Sequence, residues 1–319
     1  YLLIIFLFFN IIQSFAQLDT KHWFAPMVDR TGNPYPSQRI YLSTNRTTPF
    51  EVKIYNNNLV VGNVTISKGN PGYFVIPRNL IITSDVADLY KPVKMGLYLE
   101  ADYAYFANLR FSVANHAEII TSKGRAGIGD LFYTVMAPIT TYNDILNFMT
   151  SVLATEDNTV VKISNFNPNI IFSDGVKRSE FNITLNKGES YIIEGGGNYQ
   201  VNYEGFIGAK IESDKPISVT NGKYAGYYPN ASDILMDQNV PVQQLGKDFV
   251  LVKGNGAVGQ NMEGAIVVAT KDNTEIYVNN ESVPLVTINE GEYFVVKDYK
   301  YINQGKDHYN LFIQTTEKA

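Results

Sequence analysis

The sequence predicts an all-β fold made of tandem β-sandwich-like repeats of about 110 residues, with the third copy truncated. Three observations predict it. Tyr and Phe are abundant, 22 and 18 residues against a single Trp, and large side chains of this kind pack across strands. Short β-rich runs alternate with Asp, Asn, Thr and Gly turns every 8–12 residues or so. Three kinds of segment recur in the same order along the chain.

The first recurring segment is read as a hairpin around a polar turn. It occurs as SVLATEDNTVVKI (Ser151 to Ile163), VVATKDNTEIYV (Val267 to Val278) and, more weakly, IYLSTNRTTPFEVKI (Ile40 to Ile54). Asp157–Asn158 and Asp272–Asn273 are the turn residues, because their side chains bond nearby backbone and tolerate left-handed conformations. The second is a turn ending in glycine, VTISKG, ITLNKG and VTINEG, closing at Gly69, Gly188 and Gly291. Glycine supplies the positive φ there, and an aromatic leads the next strand. The third comprises GLYLEADYAYF from Gly96, GAKIESDKPISV from Gly208 and LFIQTTEKA from Leu311.

The expected division is an export signal over residues 1–16, a first β unit over 17–139, a second over 140–252 and a partial third over 253–319. The opening YLLIIFLFFNIIQSF is apolar and uncharged, and Ala16 offers a small residue for cleavage. It is shorter than the ~20 residues a spanning helix needs. The third copy stops at Ala319, just before its last strand. The chain is therefore read as cut short at both ends, with surface attachment expected through the C-terminal region beyond it.

Composition narrows the function. The absence of cysteine excludes thiol catalysis, thiolate metal sites and iron–sulfur clusters. A net charge of −5 gives no basic footprint for nucleic acid. His22, His116 and His308 are the only histidines and lie far apart in sequence, so no His-rich metal site is expected. Asp233 and Asp237 flank Ile234–Met236 without the acidic loop series that calcium favours. No catalytic constellation and no cofactor motif is present, so the reading is a binding or adhesion module with a protein or glycan partner outside the cell. A spacer that presents a distal domain is the alternative, and a polysaccharide-acting enzyme ranks below both.

The candidate binding residues are aromatic. KYAGYYP (Lys223 to Pro229) places Tyr224, Tyr227 and Tyr228 with Gly and Pro in an expected loop, which continues to Asp233. Exposed Tyr gives large contact area at low entropic cost. Ser122–Asp130 is taken as the first-unit counterpart and has no tyrosine. Tyr98, Tyr103, Tyr105 and Phe106 form a second cluster.

The ATEDNT turn, the KG turn, the ESDKPISV strand and DILMDQNVPVQQLGKDF (Asp233 to Phe249), in that order, resemble the IgGFc-binding protein N-terminal domain family. KHWFAPMVDR (Lys21 to Arg30) resembles the version in secreted and surface proteins of Bacteroidetes, which often end in a gliding-motility-type sorting domain. The resemblance spans most of residues 19–319. It implies an extracellular adhesin-type module of undefined ligand and brings no catalytic residues. Asn45–Arg46–Thr47–Thr48 and Tyr142–Asn143–Asp144 depart from the family pattern.

Overall fold

The computed structural model describes residues 17–31, 37–113, 116–139, 148–197, 199–228, 231–256, 259 and 262–319. The apolar segment 1–16 lies outside them. The chain is all-β, and among the described residues no helix is long and apolar enough to cross a membrane.

Ten strands form the first part: β1 (Asp19–Phe24), β2 (Met27–Val28), β3 (Ser37–Ser43), β4 (Phe50–Asn56), β5 (Leu59–Ile66), β6 (Gly72–Pro77), β7 (Ile82–Thr83), β8 (Pro92–Val93), β9 (Leu97–Val113) and β10 (His116–Thr121). The long strand β9 belongs to two layers. Its start pairs with β1 and β4, and its end pairs with β3 and β10. Strand β5 flanks β4 and β6 flanks β3. The period-two pattern explains the layering. In β4, Phe50, Val52 and Ile54 are buried while Glu51 and Lys53 are exposed.

The second part runs β11 (Ile128–Tyr133), β12 (Phe148–Ala154), β13 (Thr159–Ser164), β14 (Phe181–Leu185), β15 (Ser190–Glu194), α1 (Gln200–Glu204), β16 (Lys210–Tyr228) and β17 (Ala231–Gln238). Strand β16 spans two layers in its turn, pairing with β11 and β13 at its start and with β12 and β17 at its end. Strand β14 flanks β13, and β15 flanks β12. Strand β12 is buried at every position because both its faces are covered. The third part holds β18 (Asp248–Val252), β19 (Ala265–Val268), β20 (Thr274–Val278), β21 (Val286–Ile288), β22 (Tyr293–Val296), β23 (Ile302–Asn303) and β24 (Tyr309–Thr315). Here β24 pairs with β18, β20 and β23, β21 flanks β20, and β19 pairs with β22. Strand β11 thus joins β16, and β18 joins β24, ahead of the seams at 139 and 252 read from sequence.

The expected hairpins are corners. Strands β12 and β13, either side of Asp157–Asn158, do not pair with each other, and neither do β19 and β20 or β3 and β4. Each corner carries the chain from one layer to the other, and alternation is the same either side of a corner as of a hairpin. The turn chemistry is as expected. Asn158 and Asn273 have φ of 53° and 56°. Asp157 accepts a hydrogen bond from Lys187 N at 3.0 Å, and Asp272 one from Glu290 N at 3.1 Å, so each carboxylate fastens its corner to the next. Gly69, Gly188 and Gly291 have φ of 78°, 81° and 78°.

Three apolar clusters form the core. The first is not confined to the first part, because Met149, Ile192, Tyr224, Ile234 and Met236 pack into it. Strand β8 pairs with β15, and Ser190 Oγ donates to Met95 O at 2.7 Å. The parts therefore share buried surface instead of hanging as beads.

Candidate functional site

The Lys223–Asp237 segment expected as a loop is the distal arm of β16 and its return strand β17. A register shift between Lys223 and Gly226 bulges the strand, which is how it absorbs the glycine. Tyr224 lies inside, 5% exposed, edge-on to Phe111, with its hydroxyl on Asp29. It is a packing residue, because the continued strand turns it toward the first core. Tyr227 is 41% exposed and pairs with Ser232. The backbone of Tyr228 pairs with Ala231, and its side chain lies outside the described residues. Asp233 is exposed, opposite Gly226, and its Oδ1 lies 3.3 Å from His116 Nδ1. The structure therefore leaves Tyr227 and Asp233 on the surface of one hairpin and separates Tyr224 from them.

The β9–β10 hairpin lies against the β16–β17 hairpin. That makes the ends of β9 and β10, at Phe111–Val113 and His116–Glu118, the first-part neighbour and counterpart of this arm. Ser122–Asp130, the counterpart read from sequence, instead holds a single 3-10 turn and the start of β11.

Between the hairpins and the third part lies a cleft of about 530 Å³. Val135, Leu235, Leu245, Ile266 and Val268 supply its apolar walls, and Glu118, Lys123, Asn221, Asp237 and Asn239 its polar lining. Lys123 Nζ donates to Asp237 Oδ2 at 2.8 Å and to Gln238 O at 2.7 Å. Burial pushes the Glu118 carboxyl above its ordinary range, and the nearby Asp233 and Asp237 carboxylates add to the shift. Asn221 is 2% exposed, and neither its Oδ1 nor its Nδ2 has a hydrogen-bond partner among the described residues. Sequence reading missed Glu118, Lys123 and Asn221, because their convergence depends on how the two hairpins and β11 stack.

A second cleft, about 360 Å³, lies between the first and second parts. Trp23, Tyr55 and Tyr98 line it together with Lys21, Asn57, Asn58, Glu100, Leu153 and Lys187. Trp23 and Tyr55 each stand directly opposite Tyr98 across the strands.

Among the described residues no group of three or more His, Cys, Asp or Glu is placed to hold a metal ion. The surface features are apolar walls, exposed tyrosine and paired charges, the chemistry of a binding module. The family described as IgGFc binding protein matches residues 119–318, more than half of the chain. The chain belongs to this family of binding domains. The match is narrower than the resemblance read from the sequence, since it leaves out most of β1 to β10. No curated protein and no solved structure matches the chain.

Proposed function

We propose that the chain is an extracellular binding or adhesion module that recognises a protein partner through the β16–β17 hairpin and the adjoining cleft. One observation carries this reading. Tyr227, Asp233, Asp237 and the wall residues Val135, Leu235, Leu245, Ile266 and Val268 fall within the family-matched residues 119–318. Asp233, Leu235 and Asp237 share one face of β17, and Leu235 and Asp237 line the cleft. Tyr227 stands exposed on the same hairpin opposite Ser232. An apolar cleft with a charged lip has the makeup of a protein interface, an apolar centre with a polar rim. The opening KHWFAPMVDR supports a place among the surface proteins of Bacteroidetes.

The module is built from three tandem β-sandwich-like units. Their seams follow the strand pairing, with units at Asp19–Thr121, Ile128–Gln238 and from Asp248 onward. The three turn glycines of nearly equal φ support this division, as does the long strand that crosses two layers in the first and second units. Contacts at the seams, such as Tyr133 Oη donating to Glu290 Oε1 at 2.6 Å, support a second role as a stiff spacer.

The test is surface plasmon resonance with immobilised residues 17–319. The family name makes the Fc part of immunoglobulin G the first analyte, followed by a panel of secreted proteins. Saturable binding that Tyr227→Ala and Asp233→Ala weaken about tenfold, with unfolding unchanged, is the expected result. A partner that binds all variants equally refutes this site.

A further inference from the structure

We infer that the groove between the first and second units is a carbohydrate-binding site, with Trp23, Tyr98 and Tyr55 as the platform for a short neutral oligosaccharide. This site is separate from the hairpin and cleft above, and its aromatic residues lie outside the family-matched span.

The register of three strands creates the platform. Trp23 on β1 pairs with Tyr98 on β9, and Tyr98 pairs with Tyr55 on β4. Side chains directly opposite each other share a face. The three rings therefore form one row, with centroids 5.1 Å and 5.6 Å apart. All three are only partly buried and line the 360 Å³ groove. Two residues along, the same face presents Lys21 and Glu100, 3.7 Å apart. Tyr98 Oη donates to Glu100 Oε2, which fixes the middle ring. The far wall comes from the second unit, at Leu153–Thr155 and Lys187–Gly188, and Asn57 and Asn58 lie at the first unit's turn. Asn58 Nδ2 donates to Lys187 O at 3.2 Å and ties the two walls together.

These groups match one ligand chemistry. A pyranose has a flat face of C–H groups and a rim of hydroxyls that both donate and accept. The aromatic row takes the faces. Lys21, the asparagine amides and Glu100 offer donors and acceptors at the rim. An apolar ligand would strip water from these groups and offer no hydrogen bonds in its place, at a desolvation cost. The spacing of the rings is comparable with the advance from one sugar to the next, so the row suits a chain of two or three units.

The architecture does not require the row. At the corresponding place in the second unit, the cross-strand residues are Tyr133, Lys210 and Ser164. There Lys210 Nζ lies 3.1 Å from Glu290 Oε1, which also accepts from Tyr133 Oη. A polar latch closes that joint, and aromatic rings line the open one.

Trp23 is the only tryptophan, so its fluorescence reports on this groove alone. Residues 17–319 are titrated with cellotriose, laminaritriose, chitotriose and xylotriose, with saturation-transfer NMR on the same samples. The inference expects a saturable change in Trp23 emission with at least one of them. Tyr55→Leu and Glu100→Gln should lower that affinity about tenfold with the melting temperature unchanged, and Trp23→Phe should retain weakened binding by NMR. Tyr227→Ala should bind the sugar normally, which separates this site from the protein-binding reading. No emission change and no saturation transfer with all four sugars overturns the inference. So does sugar binding that survives both Tyr55→Leu and Glu100→Gln unaltered.

Discussion

Tyr224 Oη donates to Asp29 Oδ1 at 2.8 Å, joining positions 195 residues apart in the chain. The bond ties the distal arm of β16 to the residue that follows β2. Asp29 also accepts from Arg78 at 2.6 Å and from Thr31 Oγ1 at 2.7 Å, and is 1% exposed. Tyr224→Phe removes one donor from a buried carboxylate and leaves the ring in place. Hydrogen bonds to charged groups contribute roughly 1.5–3 kcal/mol. Urea unfolding should show a loss of that order, with a folded circular dichroism spectrum. An unchanged midpoint would mean that water replaces the tyrosine hydroxyl at no cost.

Acid should weaken the same region. Burial alone raises the carboxyls of Asp19 and Asp29. Hydrogen bonds from Arg125 and Thr20 to Asp19, and from Thr31, Tyr224 and Arg78 to Asp29, outweigh it and hold both below the ordinary range. Each group is more acidic folded than unfolded, so the unfolded chain binds the additional protons on acidification. Their contribution is complete above the unfolded value of about 4 and is lost as pH falls through the folded value. Unfolding free energy measured from pH 5 to pH 2.5 should fall steadily. Arg78→Met and Arg125→Met should each lessen the slope, and slopes equal to wild type would count against these two carboxylates.

The local features were legible in the sequence, and the pairing was not. Alternation placed the strands, and Asn158, Asn273 and the three turn glycines have the backbone their residue types predicted. Which strand meets which is a long-range property. Residues 151–163 have the same pattern whether the chain folds back on itself or crosses to the other layer. Tyr224 illustrates the cost of that ambiguity. Gly226 and Pro229 read as a loop, yet a bulge lets β16 continue and turns the ring inward. The Trp23–Tyr98–Tyr55 row was out of reach for the same reason, since it exists only through the register of three strands far apart in sequence.

Lys223 should make stability rise with pH near neutrality. Its side chain is fully buried, and Nζ donates to Asn202 O at 3.0 Å. Desolvation of the ammonium lowers its pKa to about 7, and the charge of Glu204 offsets this only in part. The unfolded lysine keeps its proton up to about pH 10. Between those values the unfolded chain binds more protons, so raising the pH favours the folded state. The gain from pH 7 to pH 9 should be roughly 2 kcal/mol. The window stops there because tyrosine ionisation intervenes at higher pH. Lys223→Met should flatten the profile. A wild-type profile that is already flat would place the folded ammonium in a better-solvated setting.

Two glycines of similar conformation should respond differently to the same change. Gly208 and Gly175 have φ of 76° and 72°, so alanine is strained at both. At Gly175 nothing lies within 4 Å of an added Cβ. Gly175→Ala should therefore cost only the backbone strain, about 1–2 kcal/mol. At Gly208 an added Cβ would sit 1.8 Å from the carbonyl oxygen of Gly291, a backbone atom that no rotamer change can move. Relief requires the backbone at Gly208 to separate from that at Gly291, where Tyr133, Lys210 and Glu290 hold the second and third parts together. Gly208→Ala should cost well over the strain alone, roughly 3 kcal/mol or more. It should also raise hydrogen exchange on both sides of the joint, at residues 205–210 and 289–293. Equal destabilisation by the two alanines, with no added exchange at the joint, would show that the two segments are not packed as closely as Gly208 and Gly291 require.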